Sequence, residues 1–178
     1  DCRYGERGDA EFLREVLADG PDVVLVTTDW APRVQDVVNE GIEDGVIFVV
    51  SGGNTGPTGS MFGFTNLHGT VNVIAGGPDG ALAEFNSQPW MSLYFIAEND
   101  GSTKDPQEAV ALNPDQGGDG RPTVFAPGVD IATGGFSDGR WVSNYIGSGT
   151  SAAGTLVAGA LALAVEKWPE AGGNQILQ

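Results

Sequence analysis

Basic residues are scarce in this chain. Eight lysines and arginines face 24 aspartates and glutamates over 178 residues, a formal charge of −16. A nucleic-acid-binding surface needs the opposite sign, because affinity for phosphate backbones comes from cationic side chains. Attraction to anionic membrane surfaces is disfavoured for the same reason. Cysteine is nearly absent as well. Cys2 is the one thiol, so no disulfide can close within the chain, and Cys2 is either free or bridged to another chain. A single histidine, His68, excludes a His-rich metal centre. There is no transmembrane stretch, no signal peptide, no internal repeat and no low-complexity tract. The chain begins at Asp1 rather than at a methionine, which reads as a processed product or a fragment.

What is present describes a folded protein of one domain. Hydrophobic residues make up 40% and charged residues 18%, a balance that disordered chains do not have, and the length suffices to bury a real core. The 28 glycines point to tight turns and close backbone approaches. The acidic charge implies high solubility and a salty or extracellular setting, and says nothing of the fold.

The first half alternates helical and strand patterns. Phe12, Leu13, Val16 and Leu17 fall at helical spacing, and Asp19-Gly20-Pro21 stops that helix. Residues 22–28 form a β-branched run, as a strand buried on both faces of a parallel sheet requires. Pro32 fits the first turn of a second helix, whose inward face is Val34, Val37, Val38, Gly41 and Ile42. Residues 46–50 are a second buried strand. This βαβ order predicts a parallel sheet with helices on both faces. Residues 71–77 predict a third strand, and residues 81–85 alternate loosely as a partner to it. Residues 90–96 are a candidate strand within a segment, 86–120, whose pattern is poor and to which no function attaches. Residues 123–131 and 141–145 predict two more strands, and residues 174–178 the start of a helix.

Two turns carry chemistry. The first is Ser51-Gly52-Gly53-Asn54, at the carboxyl end of a predicted strand, where open α/β sheets build their sites. An Asn amide is a neutral donor that can face an oxyanion, although an Asn between glycines is also a common left-handed turn residue. The second is Gly149-Thr150-Ser151, which opens a run of small apolar residues to Val165. A helix that is apolar on every side is a buried helix, and at about 16 residues this one is short of the roughly 20 that span a membrane. A serine at the mouth of such a helix suits a nucleophile, because unpaired N–H groups and the positive helix end favour developing negative charge. A simple Thr-Ser cap is the alternative reading.

Taken together, these stretches resemble the subtilisin-like serine proteases (subtilases). Gly149-Thr150-Ser151 with Val157-Ala158-Gly159 is similar to the family's serine motif, Gly53-Asn54 to its oxyanion motif, and Ala126-Pro127-Gly128 to the segment leading toward the serine. They occur in the family's order between about residues 20 and 168. The chain departs from the family at Thr155-Leu156, where Pro-His is usual, and at Pro122-Thr123, where Pro-Asp is usual.

The resemblance implies an α/β three-layer sandwich with a mostly parallel sheet, incomplete at its N-terminal side, so that residues 1–178 form a single partial catalytic domain. It implies Ser151 as nucleophile and Asn54 as oxyanion donor in a serine endopeptidase acting on peptide or protein substrates. It places substrate binding at Thr27, Thr28 and Asp29 and at Ser51, Gly52 and Gly53, with the peptide pairing edge-on. Asp29 stands where the family has glycine, which restricts the backbone and would favour a basic residue nearby. The family's Asp and His both precede its Gly-Asn motif, and this chain reaches Gly53-Asn54 with only two apparent helix and strand pairs before it. The base and its orienting carboxylate are therefore expected from outside the chain, on a companion N-terminal chain or segment. His68 copies the start of the family's His motif in His68-Gly69-Thr70, yet it follows Asn54 and leads into a strand, so it reads as a loop residue. Calcium is common in the family. No ligand set stands out here, and the acidic loop at 115–119 reads as solvated. The alternative function is a catalytically inactive pseudoprotease that binds peptides or partners; a third reading is an inert fragment whose sheet needs another chain to cover it.

Overall fold

The computed structural model describes residues 9–27, 34–56, 69–87, 124–137 and 139–177. Helix α1 (Asp9–Ala18) leads to strand β1 (Val23–Val26), and helix α2 (Gln35–Glu43) to β2 (Ile47–Ser51). Strands β3 (Val71–Gly76) and β4 (Val124–Pro127) follow, then β5 (Ile131–Ser137), β6 (Arg140–Gly147), helix α3 (Thr150–Lys167) and the short α4 (Gly173–Ile176). Strands β1 to β4 form one parallel sheet in the order β1-β2-β3-β4, with Val23 opposite Ile47, Val49 opposite Val71 and Val73 opposite Val124.

The side-chain alternation of β2 explains the layers. Phe48 and Val50 point to one face, where they pack with Leu13 of α1 and with Val37 and Val38 of α2. Ile47 and Val49 point to the other, where Val71, Val73, Ala75, Ala126 and Ala153 of α3 complete a second core. Both faces of β2 and β3 are covered, which is why their sequences read as unbroken apolar runs. The three-layer α/β architecture expected from the sequence is the one observed.

Three local expectations differ from the structure. The helix opening at Thr150 is not buried all round. Its sheet-facing side is covered, but Leu156 and Leu163 on the other side are 46% and 67% exposed. Composition reports that a helix is apolar, and the described residues cover one side of it. Residues 81–85 are not a strand beside β3. They make one antiparallel bridge, Leu82 to Gly76, within a turn. After Ser51 the chain leaves the sheet, and the edge of β3 that it vacates is filled by a side chain. The Asn86 amide accepts from the Ala75 N–H at 2.8 Å and donates to the Ala75 carbonyl at 2.8 Å, as a neighbouring strand would. Finally, residues 123–131 are not one strand. β4 ends at Pro127, and Asp130, at φ 53°, turns the chain into β5. β5 then pairs antiparallel with β6 as a separate hairpin. The candidate strand at 90–96, the loop at 115–119, Cys2 and Pro32 lie outside the described residues.

A buried side chain opposes the rest of the core. Asn72 is 1% exposed, and among the described residues neither atom of its amide has a hydrogen-bond partner. A buried, unmade hydrogen bond costs about 1–3 kcal/mol. Asn72→Leu, close in shape and free of polar atoms, is expected to raise stability by about 1–2 kcal/mol. Denaturant titration reads this as a higher midpoint at unchanged slope. A lowered midpoint would show that the amide has a partner after all.

Candidate active site

The site lies where the carboxyl end of β2 meets the amino end of α3. Helix α3 starts from Gly149, which has no side chain to cap it. The cap comes from across the fold: the Thr150 N–H donates to Asn54 Oδ1 at 2.8 Å, and the Thr150 hydroxyl donates to the same oxygen at 3.0 Å. Thr150 Oγ1 in turn accepts from the Gly53 N–H at 3.0 Å. Thr150 is fully buried and ties the Gly53-Asn54 turn to the helix entrance through both its backbone and its hydroxyl.

This arrangement fixes the orientation of the Asn54 amide. An N–H must meet an oxygen, so the atom facing Thr150 is Oδ1 and the remaining group is the Nδ2 donor. Gly149 makes room for it: a Cβ at that position would lie 3.3 Å from Asn54 Nδ2. Asn54 is exposed, and Ser151 beside it is half-buried. The Ser151 N–H belongs to the first turn of α3, where a helix has no internal acceptors for its donors. The turn thus presents a serine hydroxyl, an amide donor and a positive helix end in one place, the elements that stabilise an oxyanion formed by attack on a carbonyl.

The approach to the helix is close. A Cβ at Gly154 would stand 2.9 Å from Ser51 Oγ and 3.3 Å from Leu25 Cδ1, so a small residue lets the first turn of α3 lie against β2. The entrance is held at its other side by Gly128, whose carbonyl accepts from the Gly149 N–H at 2.7 Å and whose N–H donates to the Gly76 carbonyl at 3.0 Å.

The residues singled out in the sequence fall in different places. Asn54 and Ser151 come together as described. Ser51 turns its hydroxyl inward, buried and without a partner, against α3. The Gly52 N–H donates to the Val73 carbonyl at 2.8 Å, and the Gly53 carbonyl accepts from the Ser87 N–H at 2.8 Å. The Gly53 N–H donates to Thr150 Oγ1, so both backbone groups of Gly53 have partners within the chain. Thr27 is exposed at the end of β1. Thr28, Asp29 and His68 lie outside the described residues. Among the described residues no group of three His, Cys, Asp or Glu side chains could hold a metal ion, and no helix is long and apolar enough to cross a membrane.

Two residues of this region escape a motif reading. Asn86 and Ser87 are both buried; Ser87 accepts from the Thr55 N–H of the Asn54 turn, and Asn86 fastens the segment to Ala75. Their one sequence signal is the turn-forming pair Asn-Ser after an apolar residue.

Comparison with known proteins identifies the family and the fold. The model of the Subtilase family matches residues 20–178. Among solved structures, the patellamide maturation protease PatG superposes with a TM-score of 0.64 at 20% identity, over 90% of this chain and 41% of that one. The self-cleaved protease domain of PatA gives 0.62 at 18% identity, over 94% and 54%. The PatG macrocyclase in complex with peptide gives 0.62 at 20%, over 88% and 39%. The chain therefore spans about half, or less, of the length of these structures. Curated proteins give no sequence match.

Proposed function

Since this chain belongs to the subtilase family of proteases, we propose that it carries the nucleophile and the oxyanion donor of a serine endopeptidase whose base and orienting carboxylate come from outside the chain. The observation that carries this reading is the orientation of Asn54. Its oxygen is held by Thr150, which leaves Nδ2 as a donor beside the turn that bears Ser151. In the reaction, Ser151 Oγ attacks the scissile carbonyl carbon while a histidine takes its proton. The carbonyl oxygen becomes an oxyanion between Asn54 Nδ2 and the Ser151 N–H, and the histidine then protonates the leaving amine. Peptide as the substrate class is supported by the peptide-bound state of one similar structure. A base from elsewhere is supported by the share of the similar structures that this chain spans, and by His68, which is followed within three residues by β3 rather than by a helix.

The departure at Thr155-Leu156 favours a second reading, a catalytically inactive module that binds peptides. Labelling of the folded protein, assembled with the chain or segment that supplies the base and its carboxylate, with a fluorophosphonate probe and mapping of the modified residue separates the two. Modification of Ser151 is expected. A folded protein that takes up no label would replace the enzyme with the binding module.

A further inference from the structure

We propose that Ser87 is a positioning residue for Asn54, holding the backbone on both sides of the oxyanion donor. The inference rests on the function proposed above and concerns a residue outside its motifs. Asn54 sits on an exposed turn, and among the described residues its side chain is tied down through Oδ1 alone. A donor contributes to catalysis when it is preorganised, and an exposed turn is free to move unless its backbone is fixed.

Ser87 supplies that fixation. It is 1% exposed. Its N–H donates to the Gly53 carbonyl at 2.8 Å, on the residue before Asn54. Its Oγ accepts the Thr55 N–H at 2.6 Å, on the residue after Asn54. The two hydroxyls, Ser87 Oγ and Thr55 Oγ1, also lie 2.6 Å apart and share a proton donor between them. One residue thus brackets Asn54, bonding the residue on each side of it.

The fit is reciprocal. Gly53 has φ +95°, in the left-handed region, and a Cβ there would lie 2.7 Å from Ser87 Oγ and 2.9 Å from Ser87 Cβ. Only glycine meets both the dihedral and the contact. Ser87 is itself anchored. The neighbouring Asn86 is fully buried, and its amide holds the Ala75 N–H and the Ala75 and Ala83 carbonyls at 2.8–2.9 Å. On the other side of Asn86, the Phe85 carbonyl accepts from the Gly56 N–H at 2.9 Å. The end of β3 is therefore the fixed frame, Asn86 fastens the 83–87 segment to it, and Ser87 passes that position to Asn54.

The test is the rate of Ser151 phosphonylation by a fluorophosphonate in four proteins, each assembled with the chain or segment that supplies the base: the parent, Ser87→Ala, Asn54→Ala and the double variant. Ser87→Ala is expected to slow labelling by about ten- to hundred-fold, the size of effect that a small misplacement of a catalytic group produces. In the Asn54→Ala background the same change is expected to alter the rate by less than about two-fold, because the residue through which Ser87 acts is gone. Equal losses in both backgrounds would assign Ser87 a structural role and overturn the proposal; so would no loss in either. Should the folded parent not label at all, the enzymatic reading falls and the positioning claim is read directly. The side-chain NH2 resonances of Asn54, identified by their loss in Asn54→Ala, are then expected to shift or broaden in Ser87→Ala while those of Asn86 stay in place. Unmoved Asn54 resonances would overturn it.

Discussion

Ser151→Ala is expected to abolish fluorophosphonate labelling and to lower peptide hydrolysis by the assembled enzyme by about 10⁶-fold, the loss that removal of the nucleophile causes when nucleophile and base act as a unit. Stability is expected to change by no more than about 0.5 kcal/mol. Ser151 is half-buried in the first turn of α3, and alanine is the best helix former. The bonds that hold the helix entrance run through Thr150, Asn54 and Gly128 rather than through the Ser151 side chain. A residual rate above that of water would come from the oxyanion donors and substrate binding alone. Retention of a tenth of the parent activity would show that the nucleophile is another residue.

Replacing Asn54 is expected to have the second-largest effect, and two variants separate its two roles. Asn54→Ala removes the Nδ2 donor, which is worth about 10²–10³ in turnover at such a site. It also removes the oxygen that caps α3, at about 1 kcal/mol of stability. Asn54→Asp keeps an oxygen toward the Thr150 N–H and places a negative charge at the positive end of the helix, so stability is expected to hold or rise by up to about 1 kcal/mol. The rate is expected to fall at least as far as in Asn54→Ala, because a carboxylate offers no donor and repels an oxyanion. Steady-state hydrolysis of a peptide, measured beside denaturant midpoints, checks both. An Asp variant with the parent turnover would mean that Nδ2 does not face the reacting oxygen.

Much of the sheet was legible in the sequence because its strands are buried on both faces. Val23 to Val26, Ile47 to Val50 and Val71 to Ala75 read as strands through β-branched runs that need no alternation. The two ends of the site were legible for another reason: Gly53-Asn54 and Gly149-Thr150-Ser151 break those patterns at the points where a strand ends and a helix begins. What stayed illegible depends on contacts without a period. The Asn86 amide stands in for a strand neighbour of Ala75 across 11 residues, and Ser87 reaches Thr55 across 32. No local pattern encodes either. Of the β5–β6 hairpin, β6 was legible at residues 141–145, while β5 was not: Ile131-Ala132-Thr133-Gly134-Gly135 carries neither an apolar run nor a clean alternation. The exposed side of α3 was misread for a related reason, since a helix of alanine, leucine and valine gives no indication of which side its neighbours will cover.

The bond between Thr150 and Asn54 joins residues 96 positions apart. Contacts of such long sequence separation form late in folding, after the entropy of closing the loop has been overcome. A chain emerging from the ribosome therefore carries Asn54 well before Thr150 exists to orient it, and the helix that bears Ser151 has no cap until the earlier turn is in place. The two turns are joined only once that loop has closed. A partly made or partly unfolded chain holds both residues without holding them together.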